Sequence, residues 1–310
     1  MRVSRRQLLC AFGFGAVSWC ANGQVSAPAT ASAVDAEERA KLLAEPNPLG
    51  VTQASFRRRF EAGMKVTAFP ALAKRQIGVS RVSWSGDLLG GSSRETLGSV
   101  RAACDDANVR SVLLDPVVGV GLSASDASIR QATIERLKPW LDGARQLSCI
   151  GVSLDVRGEG TFDEQFSRSL DGLQAVIPML KAAGLQGVIK CLGGVSSNGQ
   201  FLAGLMNQLK DATIRLEPTF DSWRVSDTEE YHRIRGLELL MPFAACVLAD
   251  YLALNASGTD SATFPTSYCA QRVRDDGFRG PVMMQYKGEG DELEGTLKIK
   301  KILSRYKFRP

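Results

Sequence analysis

A (β/α)8 barrel is the fold that three observations predict for this chain of 310 residues. Eight short apolar runs recur from Gly50 onward, and several are apolar on both faces, as parallel strands covered by helices must be. Stretches of helical periodicity fill the intervals between them. The runs begin roughly 27 to 39 residues apart, a spacing that suits alternating strands and helices of one barrel.

The runs are Val51–Phe56, Val79–Trp84, Ser111–Leu114, Ile150–Asp155, Gly187–Cys191, Ile214–Phe220, Ala245–Ala249 and Pro281–Tyr286. Between them, Phe166, Leu170, Leu173, Ile177 and Leu180 step by four and three and make one apolar stripe. Phe201, Leu202, Leu205, Met206 and Leu209 repeat the pattern, as do Ile234, Leu237 and Leu240. A last helix is expected over Leu293–Leu303. Pro139 and Pro178 should kink or shorten their helices. Gly78, Gly151, Gly187 and Gly280 fall near helix-to-strand junctions, where tolerance of positive φ is useful. An open doubly wound sheet is the alternative. It lacks support, because Gly119-Val-Gly121 and Gly158-Glu-Gly160 are isolated and no Gly-rich phosphate fingerprint follows a strand.

The first 33 residues read as a cleavable signal peptide, and residues 34–49 as a linker leading into a single barrel domain over 50–310. Ser4-Arg5-Arg6-Gln7-Leu8-Leu9 opens the leader, an apolar stretch follows to about Ala21, and Ala31-Ser32-Ala33 offers a small-residue cleavage site. The paired arginines and the mild, Gly-containing apolar region resemble a twin-arginine leader, and the general secretory route is the other option. That apolar run is too short to span a membrane, so an exported chain with no membrane contact after cleavage is expected. Without Arg2, Arg5 and Arg6, 35 basic residues face 33 acidic ones. A near-neutral chain without a dense basic run argues against nucleic acid. The tight cluster Arg57-Arg58-Arg59 reads as a solvated face. Cys104, Cys149, Cys191, Cys246 and Cys269 are scattered without zinc spacing and read as small core residues.

In such a barrel, chemistry collects on the loops after each strand. The polar residues expected there are Gln53, Asp87, Asp115, Asp155, Arg157, Lys190, Asp221, Trp223, Asp250, Gln285 and Lys287. The single histidine, His232, falls in a helical stretch away from strand ends and reads as a packing residue. Every mechanism that needs two histidines is excluded.

Several segments in order along Val51 to Leu303 carry a resemblance to a known family. Leu192-Gly-Gly-Val-Ser-Ser-Asn198 resembles the tail of a Val-Glu-Asn-His-Gly-Gly strand and loop, and Leu240-Met-Pro-Phe-Ala-Ala-Cys-Val-Leu-Ala-Asp250 resembles a Leu-Met-Pro-Tyr-Ala…Val-Ser-Ala-Lys stretch. Gln285-Tyr-Lys-Gly288 with Glu294-Gly295 is similar to a Glu-Tyr-Glu-Gly ending. In these segments the chain resembles the xylose-isomerase-like sugar phosphate isomerase/epimerase barrels, especially an exported bacterial branch. The resemblance implies a divalent ion (Mn or Mg) held by Glu, Asp, His and Glu, with a proton or hydride moving between neighbouring sugar carbons.

The departures fall on that chemistry. Lys190 stands at the first glutamate position, Thr219 at the aspartate with Asp221 two residues on, Asp250 at the lysine, and Gln285 at the last glutamate. A lysine ammonium inside a cation site repels the cation. The favoured reading is therefore a pseudo-isomerase that binds a sugar-like or acidic small molecule with no metal or other cofactor. Lys190, Arg157 and Lys287 would supply cationic contacts, Trp223 and Tyr286 stacking surfaces, and Asp155, Asp221 and Gln285 hydroxyl partners. An active isomerase is the alternative, with Lys190 transferring protons at a pKa lowered by burial and Asp155, Asp221 and Asp250 acting as acids or as a shifted metal site. A structural or partner-binding barrel is the third reading.

Overall fold

The computed structural model describes residues 47–119, 121–220, 236–251 and 266–308. The expected leader, nearly all of the expected linker, and Asp221, Trp223 and His232 lie outside the described residues.

Eight parallel strands form one sheet. They are β1 (Leu49–Thr52), β2 (Arg81–Ser85), β3 (Arg110–Asp115), β4 (Gly151–Leu154), β5 (Gln186–Lys190), β6 (Ile214–Glu217), β7 (Val247–Tyr251) and β8 (Val282–Tyr286). Neighbours run β6-β5-β4-β3-β2-β1-β8-β7, every pairing parallel. The two ends of that order meet through the isolated bridges Leu216↔Ala244 and Thr219↔Leu248, so the sheet closes into a barrel. Pro218 stands in the seam. It has no N–H to give, yet its carbonyl accepts from Leu248 N at 2.8 Å. Each of the eight runs expected from sequence holds a strand, displaced by a few residues at the ends.

The outer helices are α1 (Arg94–Ala107), α2 (Ala127–Gln146), α3 (Phe162–Ala183), α4 (Gly199–Leu209), α5 (Thr266–Asp275) and α6 (Glu292–Arg305). Ser93, Asp126, Thr161, Asn198 and Asp291 cap five of them through their side chains, and Thr161 forms a full capping box with Glu164. The expected shortening at proline does not occur. Pro139 and Pro178 lie inside helices of 20 and 22 residues, whose buried stripes hold them against the sheet. Of the four junction glycines only Gly78 is left-handed, with φ 74. Gly151 is needed for space instead, since a Cβ there would sit 2.3 Å from the Gln186 carbonyl oxygen.

Side-chain alternation along each strand sorts residues into two cores. Val82, Val152, Ile189, Leu216, Val247 and Met284 face outward into the strand–helix core. Val112, Val188, Cys246, Leu248 and Met283 fill the barrel axis. The same alternation aims the last inward residue of each strand into the mouth.

Candidate functional site

Alternation brings Asp115, Asp155, Lys190, Glu217, Asp250, Gln285 and Lys287 to the C-terminal end of the barrel. Lys190 and Glu217 are register partners on β5 and β6, and Asp250 and Gln285 are partners on β7 and β8.

The acids are joined to cations of the chain itself. Lys190 reaches across β4 and donates from Nζ to Asp115 Oδ2 at 2.7 Å. Arg157 folds back on Asp155, with Nη2 to Oδ2 at 2.6 Å, Nε to Oδ1 at 3.1 Å and its backbone N to Oδ1 at 2.8 Å. Its Nη1 also donates to the Leu192 carbonyl at 3.2 Å, tying the loop after β4 to the loop after β5. Those hydrogen bonds to Asp155 raise the Arg157 pKa above its ordinary value. Lys287 Nζ lies 2.5 Å from Asp250 Oδ2, and Asp250 Oδ1 accepts from Phe220 N at 3.1 Å across the seam. Asp250 is only 1% exposed.

Glu217 is the residue that sequence reading missed. It is 3% exposed and accepts from Cys246 Sγ at 3.4 Å. Burial is the main cause of its raised pKa, reinforced by Asp115 and Asp250 and opposed by Lys190 and Cys246. A signal for it was present in Ile214-Arg-Leu-Glu217, where polar residues at alternate positions must share the barrel interior. Carrying that strand to Phe220 moved its expected end past Pro218 and hid Glu217 inside it.

Two expectations need correction. Burial does disfavour the Lys190 ammonium, but Asp115 and Glu217 outweigh it, so the pKa is raised and not lowered toward neutrality. Tyr286 is not a stacking surface in the mouth. It alternates outward between Gln285 and Lys287, packs against Gly295 of α6, and accepts from Gly290 N at 3.1 Å through its hydroxyl.

Gln285 keeps its place, partly buried in the mouth, with its amide in no side-chain hydrogen bond among the described residues. Gln53 is fully buried and structural, its Oε1 accepting from Ser85 N at 3.0 Å and its Nε2 donating to Leu88 O at 3.3 Å. Asp87 pairs with Arg57 at 2.7 Å on the surface. The basic cluster is more than a solvated face. Arg58 donates to the carbonyls of Gly288, Glu289 and Gly290, its backbone N reaches Glu292 Oε1 at 2.8 Å, and Arg59 pairs with Asp291 at 3.0 Å. Together they clamp the loop that follows Gln285 and Lys287.

This arrangement defines the class: a closed (β/α)8 barrel whose polar residues converge at the C-terminal mouth. Its fold is that of the xylose-isomerase-like sugar epimerases and isomerases. A 3-keto-D-glucoside 4-epimerase from E. coli is 12% identical, with TM-score 0.68 over 84% of this chain and 99% of that one. A xylose isomerase domain containing protein from Salmonella typhimurium is 14% identical, with TM-score 0.63 over 84% and 97%. An IolI protein solved with a bound zinc atom is 11% identical, with TM-score 0.65 over 84% and 99%. No family model matches the chain, and no curated protein matches it as a relative.

The described mouth residues do not fit such a metal ion. No three or more His, Cys, Asp or Glu side chains converge among the described residues. Asp115 and Asp250, which would have to turn toward the ion, already hold ammonium groups at 2.7 and 2.5 Å. A divalent cation there would meet Lys190 and Lys287 as like charges.

Proposed function

We propose that this chain binds a small carbohydrate or sugar-like molecule at the barrel mouth without a divalent ion, as a pseudo-isomerase exported from the cytoplasm. The observation that carries this reading is the pairing of Asp115, Asp155 and Asp250 with Lys190, Arg157 and Lys287. The lysines and the arginine supply, within the chain, positive charge of the kind a metal would contribute. A polyhydroxylated ligand is suited to such a rim, because each hydroxyl can donate to a carboxylate and accept from an ammonium or from the free amide of Gln285. A 3-keto-D-glucoside 4-epimerase with the same fold supports the ligand class. The twin-arginine-like leader supports export, and an extracytoplasmic mature chain should begin near residue 34.

Elemental analysis of the purified protein, followed by calorimetric titration with Mn²⁺, tests the proposal. Neither should give a stoichiometric site, whereas thermal shifts across a panel of neutral sugars and sugar phosphates should pick out a ligand. Tight equimolar Mn²⁺ would overturn it. A panel without a single shift would favour a purely structural barrel.

A second reading, an active isomerase or epimerase, draws on Glu217. A buried carboxyl with a raised pKa beside a fixed ammonium is suited to exchanging a proton with a carbon next to a sugar carbonyl. Lys190 would then stabilise developing negative charge and not act as the base. Deuterium incorporation from D2O into a candidate sugar, abolished by Glu217→Gln, would support this reading over binding alone.

A further inference from the structure

We propose a second binding site, for a small organic anion with an apolar body, at the opposite end of the barrel from the mouth. A pocket of about 420 Å³ opens there among Ile150, Gln186, Arg215, Ala245, Phe278 and Arg279. These residues come from the N-terminal ends of β4, β5 and β6 and the segments leading into β7 and β8. The volume falls within the range of small-molecule pockets.

Charge is what sets this pocket apart. Neither Arg215 nor Arg279 has a carboxylate within 4 Å or a side-chain hydrogen bond among the described residues. Arg57, Arg58, Arg59, Arg101, Arg157 and Arg272 all have acidic partners. Both guanidinium groups line one pocket, and each offers a planar fork of donors that matches carboxylate or phosphate oxygens. Gln186 adds an amide on the neighbouring strand.

The pocket is also rigidly built. Arg215 is fixed in β6 as the register partner of Val188. Arg279 sits on a segment locked to the start of β1. Asn47 donates from Nδ2 to Phe278 O at 2.8 Å and to Gly280 O at 3.3 Å, and its backbone N donates to Arg279 O at 3.0 Å. Gly280 permits this, since a Cβ there would lie 2.5 Å from the Phe278 ring and 2.9 Å from the Ala245 carbonyl oxygen. Phe278, Ile150 and Ala245 then form an apolar wall beside the two cations. An anion alone would leave that wall wet, so the better ligand carries a ring or short apolar chain on its charged group.

Calorimetric titration of the intact chain at low ionic strength tests the site, with phenyl phosphate as probe and inorganic phosphate and benzyl alcohol as parallel arms. Phenyl phosphate should saturate one site and bind several-fold more tightly than inorganic phosphate, and benzyl alcohol should not bind. Arg279→Gln, at an exposed position, should weaken phenyl phosphate roughly tenfold through loss of a charge-assisted contact. Arg215→Gln should do the same, and Gln285→Ala in the mouth should leave the affinity unchanged. Absence of saturable phenyl phosphate binding, equal affinity for benzyl alcohol, or affinity indifferent to Arg279→Gln would each overturn the proposal. Loss of binding in Gln285→Ala would do so too, by moving the probe to the mouth.

Discussion

At Lys190 two opposing effects meet in one side chain. Its side chain is 19% exposed, and burial alone would favour the neutral form, yet Asp115 and Glu217 hold the proton on. Such a group contributes stability that is fully present below its unfolded pKa and is lost only as pH rises through the folded value, so at neutral pH the contribution is complete. Lys190→Met should therefore cost about 2 kcal/mol in urea unfolding at pH 7, because it leaves the buried Glu217 without its ammonium neighbour, while Asp115, 42% exposed, stays hydrated. A loss below about 0.5 kcal/mol would place the pair among ordinary surface ion pairs. Glu217 has the same sign in a lower pH window. A carboxyl with a raised folded pKa binds its proton more tightly when folded, so its stabilisation is present at low pH and is lost as pH rises out of the ordinary carboxylate range. Melting temperatures from pH 4 to pH 8 should fall less steeply for Glu217→Gln than for the natural chain, and parallel curves would remove Glu217 from this role. Lys190, Asp155, Arg157, Asp250, Gln285 and Lys287 were legible in the sequence because each stands at or just past the C-terminal end of a strand. What the sequence did not disclose was who pairs with whom, since Asp115 and Lys190 are 75 residues apart and meet only across the barrel.

Elements were easier to read than contacts. A parallel strand must be apolar on both faces and a covering helix on one, so both leave their period in the sequence. The prolines misled because a helix with a deeply buried stripe tolerates one lost hydrogen bond, and Leu137, Trp140 and Leu141 beside Pro139 supply such burial. The Arg57–Arg59 cluster misled for another reason. Three adjacent cations look solvated until the carbonyls of Gly288, Glu289 and Gly290 arrive from 230 or more residues away. Arg58→Ala should release that loop and with it Lys287. Hydrogen exchange of residues 288–291 should quicken, while stability falls by about 1 kcal/mol, the net worth of a few partly exposed hydrogen bonds. Unchanged exchange in this loop would mean that α6 and its Asp291 cap hold it unaided.

Across the molecule, the two ends of the barrel treat charge in opposite ways. The mouth neutralises its acids with its own cations, whereas at the far end Arg215 and Arg279 have no acidic partner among the described residues. If the lysines are what keeps a metal out of the mouth, removing them should let one in. The natural chain should show no rise in melting temperature with Mn²⁺. A Lys190→Met, Lys287→Met double variant starts less stable, but its Asp115, Glu217 and Asp250 carboxyl groups have then lost those two ammonium neighbours and can offer oxygens to a hard cation. At a hundredfold excess over its dissociation constant a bound ion adds about 2.7 kcal/mol. At roughly 2–4 °C per kcal/mol for a domain of this size, that is a rise of about 5–10 °C, readily measured by calorimetry. The magnitude separates coordination from loose ion binding to a negative surface, which Mg²⁺ and Ca²⁺ would mimic at similar strength and which moderate salt would screen. A rise in the natural chain would refute self-compensation at the mouth. No rise in the double variant would show that the acids fail to converge on a common point even without their lysines, and that geometry, not charge, separates this barrel from the metal-binding ones.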